Sequence, residues 1–557
     1  MGAEITWNQR VPLRDGVEVS ADVYRPAGAE RRTTLLARTP YNKNTAIQQQ
    51  RAELYAEHGY NFVWMDVRGR GDSDGAFVPW RNEGKDGYDN IEWVAAQPWS
   101  NGKVVTWGAS YVAHNQWMAA LHHPPHLTAM IAYVAPSDPF EDNPTGVPTP
   151  WEVCWFRMLD GKVLQDVERV DWPKIAWHLP LLTMDERAGF HSDHWRSHLT
   201  QPITEALFWD HVRYQPRITE VDVPVLHITG WYDDVQRGTM TNFTSLTGPD
   251  APRSVAQKQW LVVGPWDHRC TNIRERRLGA IDYGDSALMD LPALERAWLA
   301  AILDGSPAPP KIRIFAMGQN VWRNEGEWPL ARTKWTDFYL ASDGHANSRR
   351  GDGALRSGTA IDSGTTPDAY EYDPRDPVPF LSNFASSSQI GGPDDYSAIE
   401  ERPDLLIYST SPVSEDTEVT GPVRLVLFAS SSALDTDFVA RLVDVHPDGF
   451  AQRICDGLVR ARFREGYLVP ERHLRPGETV QYEIDMWSTS HTFLRGHVIR
   501  LEVTSSAFPR FDRNMNTGGA IATETEAVVA VNTVFHDIER RSRLILPLIP
   551  APSRGVA

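Results

Sequence analysis

Short, continuously apolar runs alternate with helical patterns through the first third of the chain, and that alternation narrows the fold more than any other feature. Thr33–Ala37 (TTLLA) precedes a helix-like stretch over Ala46–His58, which Gly59 closes. Phe62–Val67 (FVWMDV), a helix over Tyr88–Ala96, Val104–Trp107 (VVTW), a helix after Tyr111 and Ala129–Val134 (AMIAYV) follow in turn. Strands this short, apolar at successive positions, need cover on both faces. They predict a parallel sheet with helices on either side.

The alternation stops over 137–220, a segment rich in Pro, Trp and His with irregular helical periodicity. It resumes at Pro224–Thr229 (PVLHIT) and Gln259–Val263 (QWLVV). A helix from about Leu288 to Leu303 then places Leu291, Leu294, Trp298 and Ile302 on one face and ends at Gly305. An insertion after a strand's C-terminal end overhangs the crevice where open α/β sheets bind ligands, so 137–220 is expected to be a helical cap. Beyond Glu325 the character changes. Residues 343–403 read as loops, and from Leu405 the period is two: Val480, Tyr482, Ile484 and Met486 alternate with Gln481, Glu483 and Asp485. One dry and one wet face predict an antiparallel sandwich or jelly roll. The expected division is an α/β body over 1–136 and 221–325, the cap over 137–220, and a β-sandwich domain over 326–557.

Composition sets the boundaries of function. The 557 residues carry 55 Lys and Arg against 73 Asp and Glu, a net charge of −18, which argues against nucleic acid as a partner. No stretch approaches the ~20 apolar residues of a membrane span, so no membrane partner is expected either. The N-terminus (MGAEITWNQRVPLRD) lacks the apolar run of a signal peptide. Cys154, Cys270 and Cys455 are too scattered for a disulfide framework, and three reduced, buried thiols fit a cytoplasmic protein. One oddity is that 21 Trp outnumber 19 Phe and 17 Tyr.

The strongest local signal is Val104–Trp117 (VVTWGASYVAHNQW), where an apolar strand runs through Gly108-Ala109-Ser110 directly into a helix. A serine on such a corner is held at the sheet's C-terminal edge with its hydroxyl exposed. The strict G-x-S-x-G pattern fails, because Val112 takes the last position. A serine nucleophile needs a base, and the base an orienting acid. Pro224–Asp233 (PVLHITGWYD) and Gln259–His268 (QWLVVGPWDH) end two later strands in suitable residues. Ser110, Asp233 and His268 then follow the chain order of α/β-hydrolases. Asp234 competes as the acid, whereas Asp267 points away from its neighbour on an extended segment. The Tyr111 amide is the expected first oxyanion donor. Tyr41, in Arg38–Lys43 (RTPYNK), supplies the second through its phenol or is structural. Gly69–Gly75 (GRGDSDG) has one residue too many between its glycines for a dinucleotide loop and reads as a tight turn. His122, His123 and His126 surround Pro124-Pro125 with no Cys or carboxylate to complete a zinc set, so no metal and no cofactor is expected.

At these residues the chain resembles the cocaine esterase-like branch of the X-prolyl dipeptidyl peptidase family, within the α/β-hydrolases. The resemblance runs through Arg38–Lys43, Asp66–Gly75 (DVRGRGDSDG), Gln97–Gln116, Gly230–Asp233 (GWYD), Gly264–His268 (GPWDH), Asp435–Gly449 and Phe508–Asn514 (FPRFDRN). It implies an α/β-hydrolase body with an inserted helical cap and a C-terminal jelly roll. It also implies Ser110, Asp233 and His268 as the triad and Tyr41 with the Tyr111 amide as the oxyanion hole. The family pattern G-x-S-Y-x-G departs here at Ala113, where a slightly reshaped elbow is expected.

The reading that follows is a serine carboxylesterase acting on esters of small apolar or aromatic acyl groups. An amidase, acylase or dipeptidyl-peptidase with the same triad is the alternative within enzymes. A ligand-binding protein with an idle body is the alternative outside them. Trp151, Trp155, Phe156 and Trp231 are candidates for the substrate pocket, and the Trp excess is expected to line or support it. The expected partner is a small-molecule ester; a homodimer is compatible with the sequence and not required by it.

Overall fold

Residues Ser100–Ala109 form the strand at the heart of a ten-stranded mixed sheet, and the elements around it are built from the apolar runs of the sequence. The computed structural model describes residues 3–137, 147–201, 205, 209–272, 275–358, 366–382 and 391–550. In chain order, β1 is Glu4–Pro12, β2 Glu18–Arg25, β3 Arg32–Thr39, β4 Asn61–Asp66, β5 Ser100–Ala109, β6 Leu127–Tyr133, β7 Val225–Gly230 and β8 Gln259–Gly264. Spatially the sheet runs β1-β2-β4-β3-β5-β6-β7-β8 and ends in the hairpin Ile312–Ala316 with Val321–Glu325. From β4 to Ile312–Ala316 neighbouring strands are parallel. Every residue of β4, β7 and β8 is buried, as two-sided cover requires.

The edge differs from the sequence reading. β1 and β2 add antiparallel strands that no apolar run announces, because β1 is largely exposed and its residues are mostly polar. Helix α1 (Ala46–Glu57) starts at a capping box made by Thr45 and Gln48. Helix α2 (Glu83–Ala95) begins five residues before the expected Tyr88, since its first turn buries the polar Glu83 and Asp86. Helix α3 (Tyr111–Ala120) follows β5 with Ser110 alone between them. The later helix Leu291–Asp304 is capped by the Asp290 side chain and closed by Gly305 at φ 72°.

Between β6 and β7 the described residues 147–201 contain only helices and turns. Glu152–Met158, Trp172–Ala176, Met184–Arg187 and Asp193–Thr200 pack around Phe156, Trp172, Met184 and Trp195. The C-terminal part is an eleven-stranded antiparallel-rich assembly. Its longest strand, Thr417–Ser431, pairs with Val480–Phe493, Ala530–Phe535 and Arg543–Ile549. Tyr482, Ile484 and Met486 are buried while Gln481 and Glu483 are exposed, the period-two pattern of a sheet with one wet face. The two parts are stitched together by backbone. Met317 N–H donates to Ser490 at 2.9 Å and Thr492 N–H to Met317 at 2.8 Å, while the Gln236 amide donates to Ser488 at 2.7 Å. No helix among the described residues is long and apolar enough to cross a membrane. Cys154, Cys270 and Cys455 are all buried and unpaired with one another.

One buried charge ties the N-terminal edge to the loop after β3. The Lys43 ammonium donates to Asn8 Oδ1 at 2.9 Å and Asp72 Oδ2 at 2.7 Å, and lies 3.6 Å from both Asp22 and Asp66. The Gly69–Gly75 turn closes over this cluster; a Cβ on Gly71 would sit 2.1 Å from Asp66 Oδ2, so only glycine fits there. Removing one partner of a buried ion cluster strands the others in a poor solvent. Lys43→Met is therefore expected to destabilise the α/β body by about 3–5 kcal/mol, measured as a lower denaturant midpoint in chemical unfolding.

Candidate active site

The site grows out of the junction between β5 and α3. Ser110 sits there at φ 59° and ψ −124°, a positive φ that a side chain rarely adopts. Three contacts hold it. Its N–H donates to Tyr133 on β6 at 3.0 Å, and its carbonyl accepts from Ala113 and His114 at 2.9 Å. Two residues earlier, a Cβ on Gly108 would lie 2.1 Å from Val112 Cγ1, so glycine is what lets the strand turn so closely into the helix. Ala113 is fully buried in this packing, and the elbow forms with alanine in place of the family's glycine. The Tyr111 N–H, first of the helix, has no intrahelical acceptor and faces the helix's N-terminal end beside Ser110.

Asp233 and His268 are brought together by the loops after β7 and β8, which are locked to each other through backbone. Trp231 N–H donates to Gly264 at 2.9 Å and Tyr232 N–H to Trp266 at 3.0 Å. Gly230 and Gly264 make this possible: a Cβ on the first would meet the Trp266 carbonyl at 2.0 Å, and one on the second the Trp266 indole at 2.3 Å. The result is a 2.7 Å hydrogen bond between His268 Nδ1 and Asp233 Oδ1. Asp233 is 1% exposed and accepts from Thr229 Oγ1 at 2.7 Å and Val235 N–H at 3.2 Å, so its carboxylate is fixed on three sides. Asp234 Oδ1 lies 3.0 Å from the same imidazole nitrogen, without the alignment of a hydrogen bond. Burial works against charge on His268, but Asp234 and Asp233 outweigh it and raise the imidazole well above its ordinary pKa.

Ser110, His268 and Tyr41 all border one cavity of about 540 Å³. The Tyr41 phenol accepts a hydrogen bond from Trp155 Nε1 at 3.1 Å and interacts with the Ser110 side chain. Burial raises its pKa, so at neutral pH the phenol keeps the proton an oxyanion would need. Trp151, Trp155 and Phe156 come down from the cap onto the same cavity. Trp231 does not. Its indole donates to Phe315 at 2.8 Å and packs on Trp328, on the far side of the β7 loop, because the residue after a strand end alternates away from its neighbour. The Trp excess divides in the same way: Trp64, Trp80, Trp107, Trp151 and Trp155 border the cavity, while Trp117 is core and Trp266 locks the β8 loop.

Several residues at the site carry no sequence signal. Trp80 stacks on Trp155 at 5.3 Å between ring centres and on Tyr111 at 6.0 Å, from a loop with no periodicity. Behind the elbow the Tyr111 phenol donates to Glu83 at 2.8 Å, and Glu83 meets Arg38 at 2.5 Å, a buried pair joining α2, β3 and α3. Glu152 and His198 form a polar patch 3.4 Å apart at the cap side of the cavity. Arg510 and Phe511 reach it from the C-terminal domain, with Arg510 paired to Asp456. Chemically, the arrangement offers a hydroxyl, an imidazole whose remaining nitrogen is unclaimed by Asp233, and two donors at one mouth. Because Asp234 is the chief group raising the imidazole, kcat/KM for ester hydrolysis should rise with pH through a midpoint above the ordinary histidine value. In Asp234→Asn that midpoint should move to lower pH, read from the pH–rate profile.

Comparison with known proteins places this chain in a family. The model of the X-Pro dipeptidyl-peptidase (S15 family) matches residues 15–269, and that of the X-Pro dipeptidyl-peptidase C-terminal non-catalytic domain matches residues 305–545. The cocaine esterase of Rhodococcus sp. (strain MB1 Bresler) is 35% identical over 97% of this chain and 98% of its own. Among solved structures, an aminopeptidase from the marine sediment archaeon Thaumarchaeota archaeon superposes with a TM-score of 0.87 at 24% identity, covering 98% of this chain and 97% of that one. An α-amino acid ester hydrolase superposes with a TM-score of 0.85 at 24% identity, covering 98% and 96%. These two share the fold, an α/β-hydrolase body with a β-rich C-terminal domain. The chain belongs to the X-Pro dipeptidyl-peptidase (S15) family of serine hydrolases, on its cocaine esterase-like side.

Proposed function

We propose that the chain is a serine carboxylesterase that hydrolyses esters of small apolar or aromatic acyl groups through an acyl-enzyme on Ser110. The observation that carries this reading is the shared cavity: Ser110, His268 and the Tyr41 phenol border one space of about 540 Å³ with aromatic walls. That volume suits a small ester rather than a polymer. The 35% identity to a cocaine esterase over nearly the whole chain supports an ester substrate.

His268 Nδ1 is held by Asp233, so its Nε2 is the nitrogen that takes the Ser110 proton as the hydroxyl oxygen bonds to the acyl carbon. The carbonyl oxygen becomes the oxyanion, received by the Tyr41 phenol and the Tyr111 amide. Collapse breaks the ester C–O bond, and the imidazolium returns the proton to the leaving alcohol. Water, deprotonated by the same imidazole, then releases the acid and regenerates Ser110. Trp151, Trp155 and Phe156 face the acyl group, and Asp233 acts through orienting the imidazole.

Two substitutions test these roles on a panel of activated esters that varies acyl length and aryl acyl groups. Ser110→Ala should reduce turnover to the uncatalysed rate. Tyr41→Phe should lower kcat by about 10²–10³-fold with KM little changed, the expected loss for one oxyanion donor. Full activity in Ser110→Ala would overturn the reading, and preference for matched amides over esters would redirect it to an amidase.

A further inference from the structure

A cluster of imidazoles and carboxylate lies outside the lining of the cavity, on the C-terminal domain. Asp444 is the last but one residue of strand Asp437–Val445, and His446 follows it. The register sets Asp444 opposite Gln452, and Val445 opposite Val498, so His497 faces His446 across the ladder. Since side chains alternate along a strand, Asp444 and His446 project to the same face. The His446 and His497 rings are 4.5 Å apart between centres. One ligand atom from each of Asp444, His446 and His497 lies within 4.8 Å of the others.

We infer that Asp444, His446 and His497 form a binding site for one zinc-class transition-metal dication, with Gln452 beside the open position. Two imidazoles and one carboxylate are a borderline donor set that suits zinc, cobalt or nickel rather than calcium or magnesium, which take oxygen alone. The distances are those of a site one small rearrangement from closure. His497 Nδ1 lies 2.9 Å from Asp444 Oδ1, and His446 Nε2 lies 3.9 Å from Asp444 Oδ2. Ligand atoms around a tetrahedral zinc at ~2.0–2.1 Å stand about 3.4 Å apart.

Neighbouring side chains already hold the carboxylate and one of the imidazoles. His491, itself buried, donates its Nε2–H to Asp444 Oδ2 at 2.8 Å, fixing the carboxylate as the hydrogen-bond partners of ligating groups do around zinc. Gln452 Oε1 lies 3.1 Å from His446 Nε2 and would yield that nitrogen to the metal. The Asp444 side chain is 2% exposed and His446 26%, so the base of the site is dry and its mouth is open. None of these residues borders the cavity around Ser110. His491 pairs through backbone with Met317, just past the end of strand Ile312–Ala316 of the hydrolase sheet, so a metal here would brace the seam between the two parts.

The test uses full-length, untagged protein stripped with a chelator and titrated with Zn²⁺ and Co²⁺. One equivalent should bind at micromolar free metal, Co²⁺ should give visible d–d absorption, and Zn²⁺ should raise the thermal midpoint. His446→Gln and His497→Gln should each weaken binding by about ten-fold or more and abolish the thermal shift, with ester hydrolysis unchanged. Asp233, Asp234 and His268 also lie within 4.8 Å of one another, so metal-dependent loss of ester hydrolysis is followed in the same titration. Absence of stoichiometric binding, or binding that both substitutions leave intact, overturns the inference. So does binding whose midpoint coincides with loss of esterase activity, which assigns the metal to His268.

Discussion

A serine held at positive φ costs on the order of 1–3 kcal/mol, and the structure around Ser110 is arranged to hold it there. The strand before it is fully paired, with β3 on one side and β6 on the other. The helix after it begins without a spacer, anchored by hydrogen bonds from Ala113 and His114 to the Ser110 carbonyl. Gly108 admits the Val112 side chain where any other residue would collide. Relaxing the backbone would break the bond to Tyr133 and shift α3, whose buried face includes Trp117 in the main core. Strain at one residue is thus opposed by packing across the sheet. The reward is geometric: a hydroxyl projected from the sheet edge next to the free N–H groups of a helix.

Asp233 and His268 are brought together by closeness between backbones. The β7 and β8 loops interlock because Gly230 and Gly264 leave room for Trp266, and Asp233 reaches His268 only in that register. The loop carrying Tyr41 is fixed a few residues on by the buried Lys43 ammonium. The C-terminal domain takes part as well. Gln236, just after the β7 loop, exchanges hydrogen bonds with Ser488, and Arg510 reaches the cavity edge from the same domain. The cavity is therefore a joint product of body, cap and β-domain, and Ser110, His268 and Tyr41 reach it from the body.

Much of this was legible in the residues. Fully buried parallel strands announce themselves as apolar runs, which is why β3 to β8 are visible and why their ends point to Ser110, Asp233 and His268. β1 escaped because an edge strand facing water has little apolar signal. Glu83 and Asp86 hid the start of α2, since buried polar residues in a first turn look like a loop. Trp231 illustrates a different limit: proximity in sequence to an acid says nothing about which way an indole points, and its side chain serves the packing under Phe315 and Trp328. The cluster at Asp444, His446 and His497 is invisible for a third reason. Asp444 and His446 are two residues apart, but His497 comes just before the neighbouring strand, about fifty residues later, so the sequence shows only an Asp-x-His pair, whereas the sequence-adjacent His122, His123 and His126 have no such convergence among the described clusters. Tyr41 is intermediate: only the family resemblance separated its phenol from an ordinary core tyrosine, and the structure sets it against Trp155 and Ser110.

The central claim is that Ser110 is the one activated nucleophile of the chain. It is tested most directly by reacting the intact protein with a fluorophosphonate and locating the adduct by peptide mass spectrometry. The account predicts a single stoichiometric adduct on the peptide bearing Ser110, formed in parallel with loss of ester hydrolysis and absent after the protein is unfolded. An adduct on another residue, or loss of hydrolysis with Ser110 unmodified, would contradict it.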